Sequence, residues 1–307
     1  MKVLITGGAG FIGSHLVEHF QGKAEVRVLD NFRSGFLHNL EGFSCELITG
    51  SILDRSTVAT VMQGVEYVFH LAAMVSVPES VANPAGCEEL NTTGTALVLE
   101  EAARAGVKKL VLSSSAAIYG DNPVVPKVET MTPEPKSPYA ATKLAGEELC
   151  RRFAEQGKLA TTALRYFNVF GPRQNPRSQY AAAVPIFIER ALCHEPITIY
   201  GDGEQTRDFI DVRDIVAANV FFATQSPATG VFNVAYGQRM SVNHLARQII
   251  QLTKSKSRIT YAPERAGDVK HSIASIEKLI QAGFVPRGEL SAGLERAIQF
   301  FASRVLS

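Results

Sequence analysis

The chain has 307 residues, 46% of them hydrophobic, and its 31 Lys and Arg nearly balance its 30 Asp and Glu. This composition suits a folded protein of about two domains and excludes a disordered chain. The balanced charge argues against a broad nucleic-acid surface, and no apolar run is long enough to cross a membrane. There is no signal-peptide pattern, and the four cysteines match neither a zinc site nor a disulfide framework. We therefore expect a reduced, cytoplasmic protein with no bound metal.

The first half of the chain alternates β-rich runs with helical stretches. Runs of Val, Ile and Leu predict strands at residues 3–6, 26–30, 46–49, 67–71, 109–114 and 161–167. Helices are predicted between them at residues 13–21, 56–62, 92–105 and 139–156. Because the strands lack polar alternation, both faces of the sheet should be covered. This predicts an α/β fold built on a Rossmann-type, doubly wound parallel sheet.

After about residue 172 the pattern changes. Helices are predicted at residues 182–193, 213–224, 242–253 and 290–303, with short strands and Gly- and Pro-rich loops between them. We expect one domain of residues 1–172, to which residues 207–235 return. Residues 173–206 and 236–307 should form a smaller, mixed α/β lobe. Ligands of open α/β sheets bind at the carboxyl ends of the strands, so the cleft should open there.

A glycine-rich turn, TGGAGFIG at residues 6–13, follows the first predicted strand and opens a helix. Gly7 permits the tight turn, Gly10 the approach of a pyrophosphate, and Gly13 the close packing of the helix on the sheet. The N–H groups and the dipole of the helix start favour phosphates. Asp30 ends the next strand, 17 residues after Gly13. Together these features predict a dinucleotide site.

Asp30 also indicates which dinucleotide binds. Its carboxylate can accept hydrogen bonds from a ribose 2′-hydroxyl and repels a 2′-phosphate, which favours NAD over NADP. Arg33 is the counter-argument, because a nearby arginine can pair with a 2′-phosphate. We interpret Arg33 as a solvated loop residue.

A tyrosine and a lysine stand four residues apart in SPYAATK, residues 137–143. Tyr139 and Lys143 therefore share one face of a predicted helix. A free tyrosine has a pKa near 10, and a nearby ammonium favours the phenolate and lowers that pKa. Lys143 can also reach a nicotinamide ribose. The pair predicts a catalytic base beside the cofactor.

The combined motifs resemble those of the extended short-chain dehydrogenases/reductases, and within them the nucleotide-sugar epimerase branch that includes the UDP-glucose 4-epimerases. The resemblance covers essentially the whole chain. It rests on TGGAGFIG (6–13), DN (30–31), HLAA (70–73), NTTGT (91–95), SSSAAIYGD (113–121), YAATK (139–143), RYFNVFGPR (165–173) and TRDFIDVRD (206–214).

The resemblance implies that residues 1–172 form an NAD-binding Rossmann domain. The cofactor residues that it implies are Gly7, Gly10, Phe11, Ile12, Gly13, Asp30, Asn31, Ser51, Ile52, Leu71, Ala72, Ala73, Asn91, Ser113, Tyr139, Lys143 and Tyr166. Ser51 departs from the pattern, because many members have an Asp there that contacts the adenine amino group.

For catalysis the resemblance implies Tyr139 and Lys143 with Ser115, which shares the hydrogen bond of the sugar O4, and its neighbour Ser114. Related dehydratases and decarboxylases carry acidic residues just after this serine, where this chain has Ala116-Ala117. Methyl groups cannot transfer a proton, which disfavours those reactions. The chemistry that is left is oxidation followed by reduction at a single carbon. The expected reaction is C4 epimerisation of a UDP-hexose through a 4-keto sugar, with tightly bound NAD.

The second lobe should bind the nucleotide sugar. The substrate residues that the resemblance implies are Ser115, Tyr139, Asn168, Val184, Tyr200, Arg207, Arg265, Asp268 and Ser272. Two arginines suit a diphosphate, because each offers a fixed charge and a fork of donors. Tyr200 is either a stacking surface for uracil or a core residue. Ser272 stands where the family places a gate beside the sugar C2 substituent, so its small side chain predicts that UDP-GlcNAc and UDP-GalNAc are accepted alongside UDP-Glc and UDP-Gal.

Family members usually pair through two long helices, which predicts a homodimer here. Two alternatives stay open at this point. One is another enzyme on the same scaffold: a reductase, or an epimerase at a different carbon or on a different nucleotide sugar. The other is a non-catalytic NAD-binding protein, against which the intact Ser115, Tyr139 and Lys143 argue. No nucleic-acid or membrane partner is expected.

Overall fold

The computed structural model describes residues 1–176, 183–264 and 270–305. The strands are β1 (Lys2–Thr6), β2 (Glu25–Asp30), β3 (Glu46–Thr49), β4 (Tyr67–His70), β5 (Lys109–Ser115), β6 (Ala160–Tyr166), β7 (Asn168–Phe170), β8 (Ile197–Tyr200), β9 (Thr206–Arg207), β10 (Phe209–Asp211), β11 (Gly230–Val234), β12 (Met240–Ser241) and β13 (Ile259–Ala262). The α-helices are α1 (Phe11–His19), α2 (Arg55–Val61), α3 (Val77–Ala82), α4 (Pro84–Glu88), α5 (Gly94–Arg104), α6 (Pro138–Glu155), α7 (Ala183–Leu192), α8 (Val212–Thr224), α9 (Val242–Leu252), α10 (Glu277–Gln281) and α11 (Leu290–Val305).

Seven strands form the central sheet in the order β11-β6-β5-β4-β1-β2-β3, and every neighbouring pair is parallel. Side chains of β1 alternate between the two faces, as the pleat requires. Val3 and Ile5 join one apolar cluster with residues of α1 and α8, whereas Leu4 joins a second cluster with residues of α2, α5 and α6. Both faces are thus covered by helices, which confirms the predicted Rossmann-type fold.

The strands predicted from the sequence all exist, with limits within one residue of those observed. Two helices begin elsewhere than expected. α1 starts at Phe11 because Gly10 is its N-cap. α5 starts at Gly94 because a separate π-helical turn, Glu89–Thr93, precedes it and buries Asn91.

The remaining strands form three two-stranded sheets: β10 with β7, β12 with β9, and β13 with β8. A third apolar cluster lies mainly among α7, α9 and α11, and its members include Phe187, Ile188 and Leu245. The chain between the two groups of elements returns to the main sheet, because β11 pairs with β6 and α8 packs against α1. The division of the chain into domains at residue 172 stays a proposal.

Because the strands are parallel, the carboxyl ends of β1 to β6 meet at one edge of the sheet. Most of the candidate site lies at that edge. In the described ranges, no helix combines the length and apolar content that a membrane span needs.

Candidate active site

The glycine turn after β1 is shaped by close backbone packing. Gly7 has φ +72°, and a Cβ there would lie 2.8 Å from the backbone nitrogen of Ala72. A Cβ on Gly13 would lie 2.2 Å from the carbonyl oxygen of Gly7. Side chains are therefore excluded at both positions, which lets α1 and the loop after β4 close around the turn.

The start of α1 fits a diphosphate. Gly10 is its N-cap, and no side chain of the described residues caps it. By contrast, Asp54 caps α2 and Ser137 caps α6 through side-chain oxygens. The N–H groups of the first turn of α1, at Phe11 and Ile12, therefore suit an anionic ligand held by the positive end of the helix dipole. A cradle without side chains at a helix start is what a dinucleotide pyrophosphate requires.

The Asp30 carboxylate is held in place at the end of β2. Its Oδ2 accepts the N–H of Ala9 at 2.9 Å, and its Oδ1 accepts the N–H of Phe32 at 2.8 Å. Each oxygen keeps a further lone pair for a ribose hydroxyl. Arg33 forms an ion pair with Glu79. That pairing leaves Asp30 as the charge at the end of β2 and favours NAD, as the sequence predicts.

Beside Asp30, three further cofactor candidates differ in exposure. Asn31 is exposed, and its side-chain oxygen accepts the N–H of Arg33 at 3.1 Å. Ser51 is partly exposed, and its hydroxyl oxygen accepts the N–H of Leu53 at 3.2 Å. Ile52 is 3% exposed, so its side chain supports the site from within the core.

His70 holds the loop after β4, where the cofactor residues 71–73 are predicted. Its Nδ1 lies 2.7 Å from Thr6 Oγ1 and its Nε2 lies 2.9 Å from Thr95 Oγ1. Burial lowers the pKa of His70 to about 3, so the ring is neutral. Thr95 donates its own hydrogen to a backbone carbonyl, so it accepts from Nε2–H, and Nδ1 accepts from Thr6. Thr6 Oγ1 then accepts the N–H groups of Leu71 and Ala72.

Asn91 joins this loop to the catalytic helix. Its Oδ1 accepts the N–H of Met74 at 2.7 Å, and its Nδ2 donates to the Met74 carbonyl and to Thr142 Oγ1, both at 3.0 Å. Thr142 lies in α6 between Tyr139 and Lys143. Asn91 is 4% exposed, and its buried amide holds the backbone of Met74 and the side chain of Thr142 in position.

Three of the predicted catalytic residues come together at the end of β5. Lys143 Nζ donates to the Ser113 carbonyl at 2.8 Å and lies 5.8 Å from the centre of the Tyr139 ring. The side chain of Ser115 lies close enough to the Tyr139 hydroxyl to influence its pKa. Ser115 also caps the turn that follows, because its Oγ accepts the N–H of Ala117 at 3.1 Å.

The pKa values of this pair differ from the expectation that Lys143 lowers the pKa of Tyr139. Burial raises the pKa of Tyr139, although the nearby Ser115 side chain acts in the opposite direction. Burial also lowers the pKa of Lys143 to about 8. The protein environment alone thus favours the neutral phenol, since burial removes the charged form from water.

The structure contradicts the prediction that Ser114 takes part in catalysis. Strand alternation places it on the opposite side of β5 from Ser113 and Ser115. Its hydroxyl donates to Glu147 Oε1 at 2.5 Å, and the residue is 2% exposed. Ser114 therefore contacts a buried ion pair rather than the reacting centre.

Tyr166, a predicted cofactor residue, is 7% exposed, and its hydroxyl donates to Asn219 Oδ1 at 2.9 Å.

On the substrate side, the structure brings Asn168, Arg207 and Ser272 together around one short segment. The side-chain amide of Asn168 donates to the carbonyl of Asp208 at 3.3 Å, and the N–H of Ser272 donates to the carbonyl of Thr206 at 3.0 Å. Both contacts flank Arg207. The structure thus brings these three predicted substrate residues close together in space.

The other predicted substrate residues have different outcomes. Tyr200 is 40% exposed, which rules out the core interpretation. Val184 is a further correction: its side chain is 1% exposed in the apolar cluster of α7, so it offers no side-chain surface to a ligand. Arg265 and Asp268 lie outside the described residues.

The sequence-based prediction misses two residues near the site, Glu147 and Asp208. Glu147 lies four residues after Lys143 on the same face of α6, so helical periodicity could have indicated it. Asp208 accepts the N–H groups of Tyr236, Gly237 and Ala274 while almost completely buried, and burial raises its pKa to about 6. No local pattern predicts those partners, because they are distant in the chain.

Comparisons with known proteins agree with this geometry. Residues 3–235 match the NAD dependent epimerase/dehydratase family. The UDP-N-acetylglucosamine 4-epimerase of Methanobrevibacter ruminantium, solved with UDP-N-acetylmuramic acid, is 40% identical with a TM-score of 0.95, covering 99% of this chain and 98% of that chain. The UDP-glucose 4-epimerase of Thermus thermophilus, solved with NAD, is 35% identical with a TM-score of 0.89, covering 98% and 99%.

A relative with a different printed activity also aligns along most of its length. The UDP-N-acetyl-alpha-D-glucosaminuronate decarboxylase of Bacillus cytotoxicus is 33% identical over 318 residues, covering 98% of this chain and 97% of the relative. Epimerase and decarboxylase relatives thus share the scaffold. The uncapped glycine turn, the Asp30 carboxylate and the Tyr139–Lys143 pair are common features of an NAD site, and with the match over residues 3–235 they show that this chain belongs to the NAD-dependent epimerase/dehydratase family.

Proposed function

We propose that this chain catalyses the reversible C4 epimerisation of a UDP-hexose, interconverting UDP-glucose and UDP-galactose. The observation that carries the proposal is the arrangement at the end of β5. Tyr139, Lys143 and Ser115 form one acid/base group, and the next two residues are Ala116 and Ala117. Such a site supplies one proton-transfer group at one carbon.

The side chains have distinct tasks in this reaction. Ser115 and Tyr139 hold the O4 hydroxyl of the sugar, and Tyr139 removes its proton as C4 is oxidised. Lys143 stabilises the phenolate and would hold the ribose of the bound cofactor. NAD supplies the redox chemistry at C4, because it accepts and returns hydride. After the 4-keto sugar has turned, Tyr139 returns the proton to O4.

The alanines separate this proposal from the other reactions on the scaffold. Dehydration and decarboxylation each need further acid/base groups beside the sugar. The turn Ala116–Tyr119 begins at the Ser115 cap and presents methyl groups at its first two positions. Methyl groups transfer no proton, which favours epimerisation over the decarboxylase activity of the Bacillus relative.

The test is turnover of UDP-galactose by the purified enzyme without added NAD, after bound NAD has been quantified. We expect UDP-glucose to form, because the cofactor is regenerated in every cycle. NMR of the products from a panel of nucleotide sugars then identifies the inverted carbon. Net reduction with consumption of NADPH, or inversion at another carbon, would replace the proposal with one of the related activities. No turnover by a preparation that retains NAD would contradict it.

The size of residue 272 gives a prediction about substrate range. The backbone of Ser272 is hydrogen-bonded to the segment of Arg207. If residue 272 lies beside sugar C2, as the family resemblance implies, its small side chain would admit an N-acetyl group there. We expect turnover of UDP-GlcNAc by the native enzyme. Ser272→Tyr should reduce that turnover at least tenfold and change turnover of UDP-glucose less than about threefold, in line with pocket-size discrimination. Ser272→Ala is the matched control and should retain both activities. Equal losses on both substrates would disprove the gate.

The homodimer and the cytoplasmic location stay predictions. The helices that would pair in a homodimer are α5 and α6, and the mass of the purified protein in solution tests this expectation.

A further inference from the structure

A buried polar network lies behind the catalytic residues. It consists of Ser114, Glu147, Arg165, Tyr119 and Asn233, and we call it the Tyr119 network. Each of these residues is at most 5% exposed. None of them belongs to the acid/base group described above. Buried polar side chains are costly unless they are paired, and here they are paired with one another across five elements of the fold.

The first part of the network supports the catalytic helix. Glu147 lies in α6 on the face that carries Tyr139 and Lys143. Arg165 in β6 donates to both oxygens of the Glu147 carboxylate, from Nε at 2.9 Å and from Nη2 at 2.7 Å. Ser114 in β5 donates to the same carboxylate at 2.5 Å. A two-pronged guanidinium contact fixes direction as well as distance, so it sets the position of α6 against β5 and β6.

The second part supports the turn that begins at Ser115. Tyr119 ends that turn, and its hydroxyl accepts a hydrogen bond from Arg165 Nη1 at 2.8 Å. The guanidinium also lies 4.9 Å from the centre of the Tyr119 ring. One arginine therefore contacts both the helix of Tyr139 and the turn of Ser115.

The third part reaches the substrate side. The Tyr119 hydroxyl donates to Asn233 Oδ1 at 2.7 Å. Asn233 in β11 donates from Nδ2 to the Lys127 carbonyl at 2.9 Å, and Lys127 in turn accepts the N–H of Ser275 at 2.8 Å. Ser275 follows Ser272 by three residues. The Tyr119 hydroxyl thus links the catalytic residues to the segment that contains Ser272 and Ser275.

We propose that Tyr119 and Arg165 are positioning residues that hold Ser115 and Tyr139 at a fixed separation, and that Asn233 extends this positioning to the segment of Ser272. The inference rests on the proposed epimerase function. Proton transfer requires the donor and acceptor atoms within hydrogen-bond reach, and small displacements of a catalytic group reduce the rate steeply. The Tyr119 network therefore acts on the chemical step more than on binding.

Tyr119→Phe tests the proposal, because it removes one oxygen atom and keeps the ring. We expect kcat to fall at least tenfold, with KM for the nucleotide sugar within threefold and bound NAD unchanged. Hydrogen–deuterium exchange should become faster at the amides of both Ala117 and Ser275, which belong to the two segments that the Tyr119 hydroxyl links. This exchange readout is independent of the substrate, so it applies even if the proposed reaction is replaced by another.

Tyr236→Phe is the matched control. Its hydroxyl also joins two groups, accepting the N–H of Asp211 and donating to Asp214, but it is not part of the Tyr119 network. Tyr236→Phe should lower Tm by about as much as Tyr119→Phe does, and it should leave kcat unchanged. Ser114→Ala is a milder variant that removes one donor from Glu147, and it should lower kcat by about threefold to tenfold. The proposal is overturned if Tyr119→Phe keeps kcat within twofold of the native enzyme, if exchange at the two amides is unchanged, or if Tyr236→Phe loses as much kcat.

Discussion

Replacing Tyr139 with phenylalanine should lower the epimerase rate by about 10³-fold, within the range typical of the loss of a general acid/base. The substitution removes the hydroxyl beside Ser115 and leaves the ring and Lys143 in place. The reaction then has no group to take the proton from the sugar O4. The measurement is kcat for UDP-galactose, together with the amount of NAD that purifies with the protein.

Tyr67→Phe is the control for this result. Tyr67 begins β4 at the amino-terminal edge of the sheet, so its hydroxyl lies at the opposite end of the strand from the site. We expect it to keep the native rate. Bound NAD should be the same in both variants, because the glycine turn and Asp30 are unchanged. If Tyr139→Phe kept more than a tenth of the native rate, Tyr139 would not be the acid/base residue.

Replacing Gly13 with alanine should abolish the copurification of NAD. The added Cβ would lie 2.2 Å from the Gly7 carbonyl oxygen and 2.8 Å from Gly8 Cα. Both contacts are with backbone atoms, which cannot rotate away, so the turn or α1 must shift. Overpacking of this kind costs about 3 kcal/mol in free energy of unfolding. The readouts are the NAD content of the purified protein and its Tm.

Gly22→Ala is the matched control, because Gly22 lies just after α1, the helix that contains Gly13, but has open space around it. Its φ of +69° makes alanine strained there, at a cost of about 1 kcal/mol in free energy of unfolding. It should therefore lose stability and keep NAD. If Gly13→Ala retained a full complement of NAD, the close packing of α1 on the turn would not be needed for cofactor binding.

The fold and the cofactor half of the site could be predicted because their signals are local. The strands are short runs of β-branched and aliphatic residues, and the glycine turn depends on conformations that glycine alone adopts readily. Tyr139 and Lys143 are one helical turn apart, so their shared face follows from the helix period. Asp30 follows from its place at the end of a predicted strand.

The substrate half was less predictable because its members come from separate segments. The family resemblance implies that Val184 contacts the substrate, yet its side chain packs into the core of the second lobe. Tyr200 could have been core or surface, and its exposure became evident only when β8 was placed against β13. Amino-acid type alone does not reveal which face of a short helix or strand its neighbours cover.

The sequence by itself thus determined the sheet and the glycine turn, and it placed Tyr139 and Lys143, the proposed acid/base pair, on one helix face. Only the tertiary structure decided what surrounds them: the contact of Ser114 with Glu147 across 33 residues, the bond between Tyr119 and Asn233 across 114 residues, and the burial that raises the pKa of Tyr139. The physical reason is that backbone geometry and side-chain period act between near neighbours in the chain. Desolvation and hydrogen-bond pairing depend instead on which distant segments the fold packs together.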